Sequence, residues 1–100
     1  MAYIYHVTTR AEWERAQAQG FYEAASLASE GFIHASADER QVQGVLQRYF
    51  AGQSDLVQLT IDPSKLVHEL KWELAPSVGE EFPHIYGPLN VDAVVAEENR

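Results

Sequence analysis

The chain has no cysteine, which excludes disulfides, thiolate nucleophiles and thiolate metal sites. Basic residues are few: 7 Lys and Arg stand against 15 Asp and Glu, a formal net charge of −8. The cations are scattered, and no two are neighbours in sequence. A nucleic-acid binder collects Lys and Arg into a stripe that neutralises phosphates, so this distribution argues against a nucleic-acid partner. No apolar run approaches the ~20 residues that a membrane-spanning helix needs, and no membrane partner is expected. The N-terminal segment lacks the basic region and apolar core of a signal peptide, and the expected location is cytoplasmic. Neither a Gly-x-Gly-x-x-Gly fingerprint nor a Walker sequence occurs, which removes local support for a Rossmann or P-loop nucleotide site. Internal repeats are missing as well.

What is present is a globular composition, 46% hydrophobic and 22% charged, over 100 residues. That length carries one core, and residues 1–100 are read as a single domain. Two stretches concentrate chemistry. Glu30 to Ser36 reads as a loop ending at Gly31, a short buried strand over Phe32 to Ala35, and a helix opening at Ser36. His34 then sits near the end of a strand beside a helix start, where unpaired backbone N–H groups favour ligands. Phe82 to Asn90 packs two prolines, a glycine, aromatic rings and His84 into a loop. The two stretches are expected to wall one pocket.

Along the chain, residues 2–8 alternate as a strand, with Tyr3, Tyr5 and Val7 on one face and Ile4, His6 and Thr8 on the other. Thr9-Arg10-Ala11-Glu12 fits a capping box, with Trp13 and Ala16 on the buried side of its helix and Gly20 at the C-cap. A helical turn is expected around Ala24 to Ala28. A second capping box starts at Ser36, and Val42, Val45, Leu46, Tyr49 and Phe50 form a full amphipathic stripe before Gly52. Leu56 to Ile61 and Leu66 to Leu74 read as an antiparallel hairpin joined through Asp62-Pro63-Ser64-Lys65. Val91 to Ala96 closes the domain as a strand, and Glu97 to Arg100 is a polar tail. The predicted class is α+β, two main helices over a mostly antiparallel or mixed sheet.

Four histidines, His6, His34, His68 and His84, are the leading acid–base candidates. No His-x-His, His-Glu-x-x-His or i, i+4 histidine pair occurs, so any shared site is assembled in three dimensions. His68, alternating with Leu70 and Trp72, reads as a structural ring. His6, His34 and His84 could together hold a metal, as zinc hydrolases use three protein ligands and an open position. Glu69 and Glu73 flank Lys71 on one strand face, and solvated cross-strand pairing is their plainest role. Tyr86, next to Gly87, could present its ring for stacking on a base or serve as core packing.

Three segments, Tyr5 to Thr8, Glu30 to Ser36 and Phe82 to Leu89, carry a resemblance. Through them the chain resembles a family of small bacterial proteins of unknown function, marked by Gly-Phe-Ile-His-x-Ser and Phe-Pro-His-Ile-Tyr-Gly-Pro-Leu. That family is similar in fold to the ADP-ribosyltransferases, a split sheet around an NAD-binding cleft, and in particular to the RNA 2′-phosphotransferase branch. The resemblance implies a nucleotide-type small-molecule ligand, with NAD as a substrate rather than a resident cofactor. It places His6 and Thr8 in a first-strand ribose-binding element and His34 with Ser36 in a second motif. Phe32 or Tyr86 would stack on a base. His34 and His84 would be catalytic, and Glu73 would steady an oxocarbenium-like ribosyl transition state, with Glu97 as the alternative acid. Two features depart from the pattern: Val7 replaces the glycine after the first histidine, and the phosphate-gripping arginines of the phosphotransferases have no counterpart in the motifs.

Two further functions stay open on the residues alone. One is a non-catalytic interaction module using an aromatic surface around Phe82, Ile85 and Tyr86. The other is a metal hydrolase built on the three histidines. The oligomeric state has no signature in the sequence.

Overall fold

The computed structural model describes residues 2–100. Its first strand, β1 (Ile4–Thr9), is followed at once by helix α1 (Arg10–Gln19), because Thr9 keeps extended backbone while its hydroxyl accepts from the Glu12 N–H at 3.2 Å. Gly20 ends α1 in the left-handed conformation, with φ of 93°. After β2 (Phe21–Tyr22) comes the short helix α2 (Ala25–Glu30), then β3 (Ile33–His34) and helix α3 (Glu39–Tyr49). The second half is β4 (Leu56–Ile61), β5 (Leu70–Ala75), β6 (Glu80–Ile85), β7 (Leu89–Asn90) and β8 (Val94–Asn99). This is an α+β fold with two main helices, and every strand pairing among the described residues is antiparallel.

Three sheets result, in the orders β1-β4-β8, β3-β6-β5 and the small pair β2-β7. β4 lies in the centre of the first sheet. Its Val57, Leu59 and Ile61 join Ile4, Trp13, Ile33, Ile85 and Leu89 in the main core. Its other face carries Leu56, which packs with Val7, Val42, Leu46 and Phe50 under α3. A strand covered on both faces reads as a nearly continuous apolar run, which is why β4 alternates so weakly in sequence. Each fully buried aliphatic side chain here contributes about 1.5–3 kcal/mol relative to exposure.

Several expected elements are corrected. β4 and β5 are not a hairpin: both edges of β4 are taken, by β1 and β8, and β5 pairs with β6 in another sheet. A strand's periodicity shows which face is buried but not which neighbour takes its edge. The strand expected from Leu66 begins only at Leu70, and the exposed His68 ring fills the place where a Cβ on Gly87 would stand. α3 starts at Glu39, with Asp38 as the cap accepting from the Gln41 N–H at 2.9 Å. Ser36 instead exchanges backbone hydrogen bonds with Tyr5, tying β3 to β1. Phe82 to Ile85 is strand rather than loop, and Glu97 to Asn99 is the end of β8 rather than a tail.

Candidate functional site

The β3–β6 ladder sets Ile33 opposite Ile85 and His34 opposite His84. With a period of two, the isoleucines point into the core, both fully buried, and the histidines project from the other face of the sheet. Phe32 and Tyr86 flank them. The Phe32 ring stacks on His84 at 4.1 Å and 17°, meets His34 edge-on at 4.9 Å, and lies 5.3 Å from Tyr86. The two histidine rings are 5.2 Å apart in a T-shaped arrangement.

β5 supplies the acid. Its apolar alternation runs outward, with Trp72 and Leu74 exposed, while Glu73 turns to the histidine face. Glu73 Oε1 accepts from His84 Nδ1 at 2.8 Å and from the Tyr86 hydroxyl at 2.5 Å. The Tyr86 hydroxyl, and after it His84, holds the Glu73 carboxyl below the usual carboxylate range, and the same bond pushes the Tyr86 phenol up. A carboxylate only accepts, so the proton of neutral His84 sits on Nδ1 and its Nε2 carries a free lone pair. Lys71 places its ammonium 4.8 Å from the centre of the Tyr86 ring. His34 has its own carboxylate, Glu30, at 3.1 Å from Nε2.

His34 and His84 open on a cavity of about 670 Å³ between this face, α2, the end of α3 and the β5–β6 turn. Its walls are mostly apolar (Val45, Tyr49, Phe50, Val78, Phe82), with Ser36, Glu30 and Arg48 among the polar groups. That volume falls within the range of ordinary small-molecule sites.

His6 lines the cavity as well, but both of its ring nitrogens are spent inside the protein. Nδ1 lies 2.5 Å from the His34 carbonyl oxygen, and Nε2 lies 2.9 Å from the Tyr22 hydroxyl. Burial depresses its pKa to about 4, so the ring is neutral near pH 7. A carbonyl only accepts, which puts the proton on Nδ1; Tyr22 then donates to Nε2 and accepts from Thr8, whose hydroxyl is 3.1 Å away. The chain Thr8–Tyr22–His6–His34 fixes β1, β2 and β3 relative to one another. The three-histidine metal site is thereby corrected: the one ring lone pair of His6 is engaged by Tyr22, and among the described residues no group of three or more His, Asp or Glu could hold a metal.

The family described as "Protein of unknown function (DUF952)" matches residues 7–97. This chain belongs to the DUF952 family. Among solved structures it is similar to protein CC0527 from Caulobacter crescentus, whose X-ray crystal structure is 42% identical, with a TM-score of 0.87 over 97% of this chain and 84% of that one. The solution NMR structure of CC0527 gives 41% identity and a TM-score of 0.82 over 99% of this chain and 84% of that one. No curated protein matches.

In this DUF952 chain the sequence-derived candidates divide into three groups. Phe32, His34, Glu73, His84 and Tyr86 form one contiguous cluster. His6 and Thr8 lie behind it in the buried chain, and Ser36, also buried, lines the cavity. Glu97 stands apart, accepting from the Trp13 indole at 2.7 Å and pairing with Arg10 at 3.5 Å. The aromatic interaction surface is corrected too, since Ile85 is fully buried and Phe82 is 8% exposed. Sequence reasoning missed Arg48, Tyr22 and Gln41. Arg48 follows the apolar stripe of α3 and reads as an ordinary solvated cation, while Tyr22 lies in a segment with no clean period. Gln41, polar and buried within α3, gives no signal by residue type.

Proposed function

We propose that this protein binds a nucleotide-type small molecule in the cleft and that His84 acts on it through Nε2. One observation carries the reading: a histidine anchored by a carboxylate at Nδ1, with no partner at Nε2 among the described residues, lines an apolar cavity of about 670 Å³. Glu73 and Tyr86 orient the ring, and Phe32 holds its face. Positioned histidine with a fixed tautomer is the ordinary equipment of general base catalysis.

The reaction class that fits both this site and the ADP-ribosyltransferase-like resemblance is ribosyl transfer from NAD. The bond between ribose C1′ and the nicotinamide nitrogen breaks, and nicotinamide leaves with the bonding electrons. An acceptor hydroxyl or water attacks C1′, and its proton passes to His84 Nε2. The charged Glu73 behind His84 stabilises the resulting imidazolium and the positive ribosyl centre. Phe32 and Tyr86 are not among the residues that line the cavity, which leaves the exposed, cavity-lining Tyr49 to contact a base.

An amide NMR titration with NAD, ADP-ribose and AMP tests the binding, and nicotinamide release tests the turnover. Shifts are expected at His34 to Ala37, Val78 and His84, with release lost in His84→Ala. Absence of shifts at millimolar ligand would overturn the reading. Binding without release would leave a ligand-binding module.

A further inference from the structure

Charge around the cleft is distributed unevenly. Four of the five arginines have a carboxylate within ion-pair distance: Arg10 with Glu97, Arg15 with Glu12, Arg40 with Glu80 and Arg100 with Glu39. Arg48 has none among the described residues, and it is the arginine that lines the cavity. The acids near it are engaged elsewhere. Glu30, also in the cavity wall, pairs with His34, and Glu80 is held by Arg40 and Gln41. Lys65 and Lys71 also lack a carboxylate partner among the described residues, but Arg48, whose guanidinium lies 5.8 Å from the centre of the Tyr49 ring, is the one Lys or Arg among the cavity-lining residues.

The helix around Arg48 is shaped for it. Gly44, one turn earlier, lies inside α3, where glycine is less stable than alanine. A Cβ at that position would stand 2.9 Å from Arg48 Nη1 and 3.4 Å from Nη2. The guanidinium end therefore lies over the glycine, and a Cβ there would make this flexible end shift from its present place. The C-terminal dipole of α3 accounts for a cation in the last turn, but it does not account for a glycine beneath that cation.

We infer that Arg48 is the anion-binding residue of the cleft and receives a phosphate group of the ligand, with Gly44 as the positioning residue that makes room for the guanidinium. This rests on the small-molecule reading of the cavity and deepens it. The ligand spans from a phosphate at the α3 end to a reacting group at His84. A planar guanidinium can grip a phosphate through two parallel N–H···O bonds, which a solvated lysine does not reproduce.

The test is calorimetric titration of the full chain with AMP, adenosine and pyrophosphate, repeated for Arg48→Gln and Gly44→Ala. AMP is expected to bind about tenfold or more tightly than adenosine, the scale of one charge-assisted contact. Arg48→Gln should erase that difference and leave adenosine unchanged. Gly44→Ala should raise the melting temperature while weakening AMP, a combination that a merely structural glycine would not produce. Equal AMP affinity in wild type and Arg48→Gln overturns the inference and leaves the nucleotide reading intact. Arg48-dependent pyrophosphate binding without any AMP or adenosine preference keeps the inference and removes the nucleotide. No binding of any of the three overturns both.

Discussion

His34 and His84 are direct partners across the β3–β6 ladder, and each holds a different carboxylate: Glu30 at 3.1 Å for His34, Glu73 at 2.8 Å for His84. Two histidine–carboxylate pairs, with rings 5.2 Å apart, stand at the edge of one cavity. The pairs differ in geometry: His84 offers Glu73 its Nδ1, whereas His34 meets Glu30 through Nε2. Opposite nitrogens are therefore left over in the two rings.

His84 should hold one tautomer. At alkaline pH, where imidazoles are neutral, long-range nitrogen–proton NMR should show His84 protonated on Nδ1 and bare on Nε2. Glu73→Gln keeps the shape but can present an amide N–H to the ring, and a mixture of tautomers is expected in its place. A wild-type His84 protonated on Nε2 would remove it as a general base.

Stability should fall on mild acidification because of His6. Its pKa is about 4 when folded and about 6.5 when exposed, so between those values the unfolded chain binds a proton that the folded chain refuses. The stabilisation from the neutral ring is complete above about pH 6.5 and is lost as pH falls toward 4. At 1.36 kcal/mol per unit this amounts to about 3 kcal/mol. Urea unfolding across that window should show the slope, and His6→Gln should flatten it. A ring that titrates near 6.5 in the folded protein would contradict the assignment.

Gln41 should matter more than its residue type suggests. Buried within α3, its carbonyl accepts from the Ala37 N–H at 2.8 Å, and its amide donates to the Glu81 carbonyl at 3.0 Å and to Glu80 at 3.1 Å. It thus joins the α3 start to β6, the strand that carries His84. Gln41→Ala leaves the part-buried Ala37 N–H and Glu81 carbonyl without this partner and should cost about 1 kcal/mol. Chemical denaturation measures it, and a loss below 0.5 kcal/mol would show that water replaces the amide.

Glu97 should prove irrelevant to the cleft. Trp13→Phe, which removes its buried indole donor, is expected to cost about 1 kcal/mol of stability. Glu97→Gln should leave nucleotide titrations unchanged, whereas Glu73→Gln should not. Equal sensitivity of ligand binding to both variants would return Glu97 to the list of acids at the site.

Local order was legible in the sequence wherever neighbours along the chain decide it. Thr9 as a cap, Gly20 as a C-cap and the inward Val42 of the α3 stripe follow from a period of 3.6 and from hydrogen bonds that close within four residues, whereas Tyr49 of that stripe is 68% exposed. The motifs around His34 and His84 also pointed to one pocket, because each placed a histidine beside restricted backbone. Only the tertiary structure decided which strand edges meet. The hairpin of β4 and β5 failed because pairing is a contest between edges far apart in sequence, and β1, β8 and β6 won it. The same long-range choices separate the histidines: His6 looked like His34 and His84 in sequence, yet the β1–β3 contact delivers a carbonyl to its Nδ1 and β2 a hydroxyl to its Nε2. Burial and partner supply, not residue type, made one histidine a buried strut and left the other two facing the cavity.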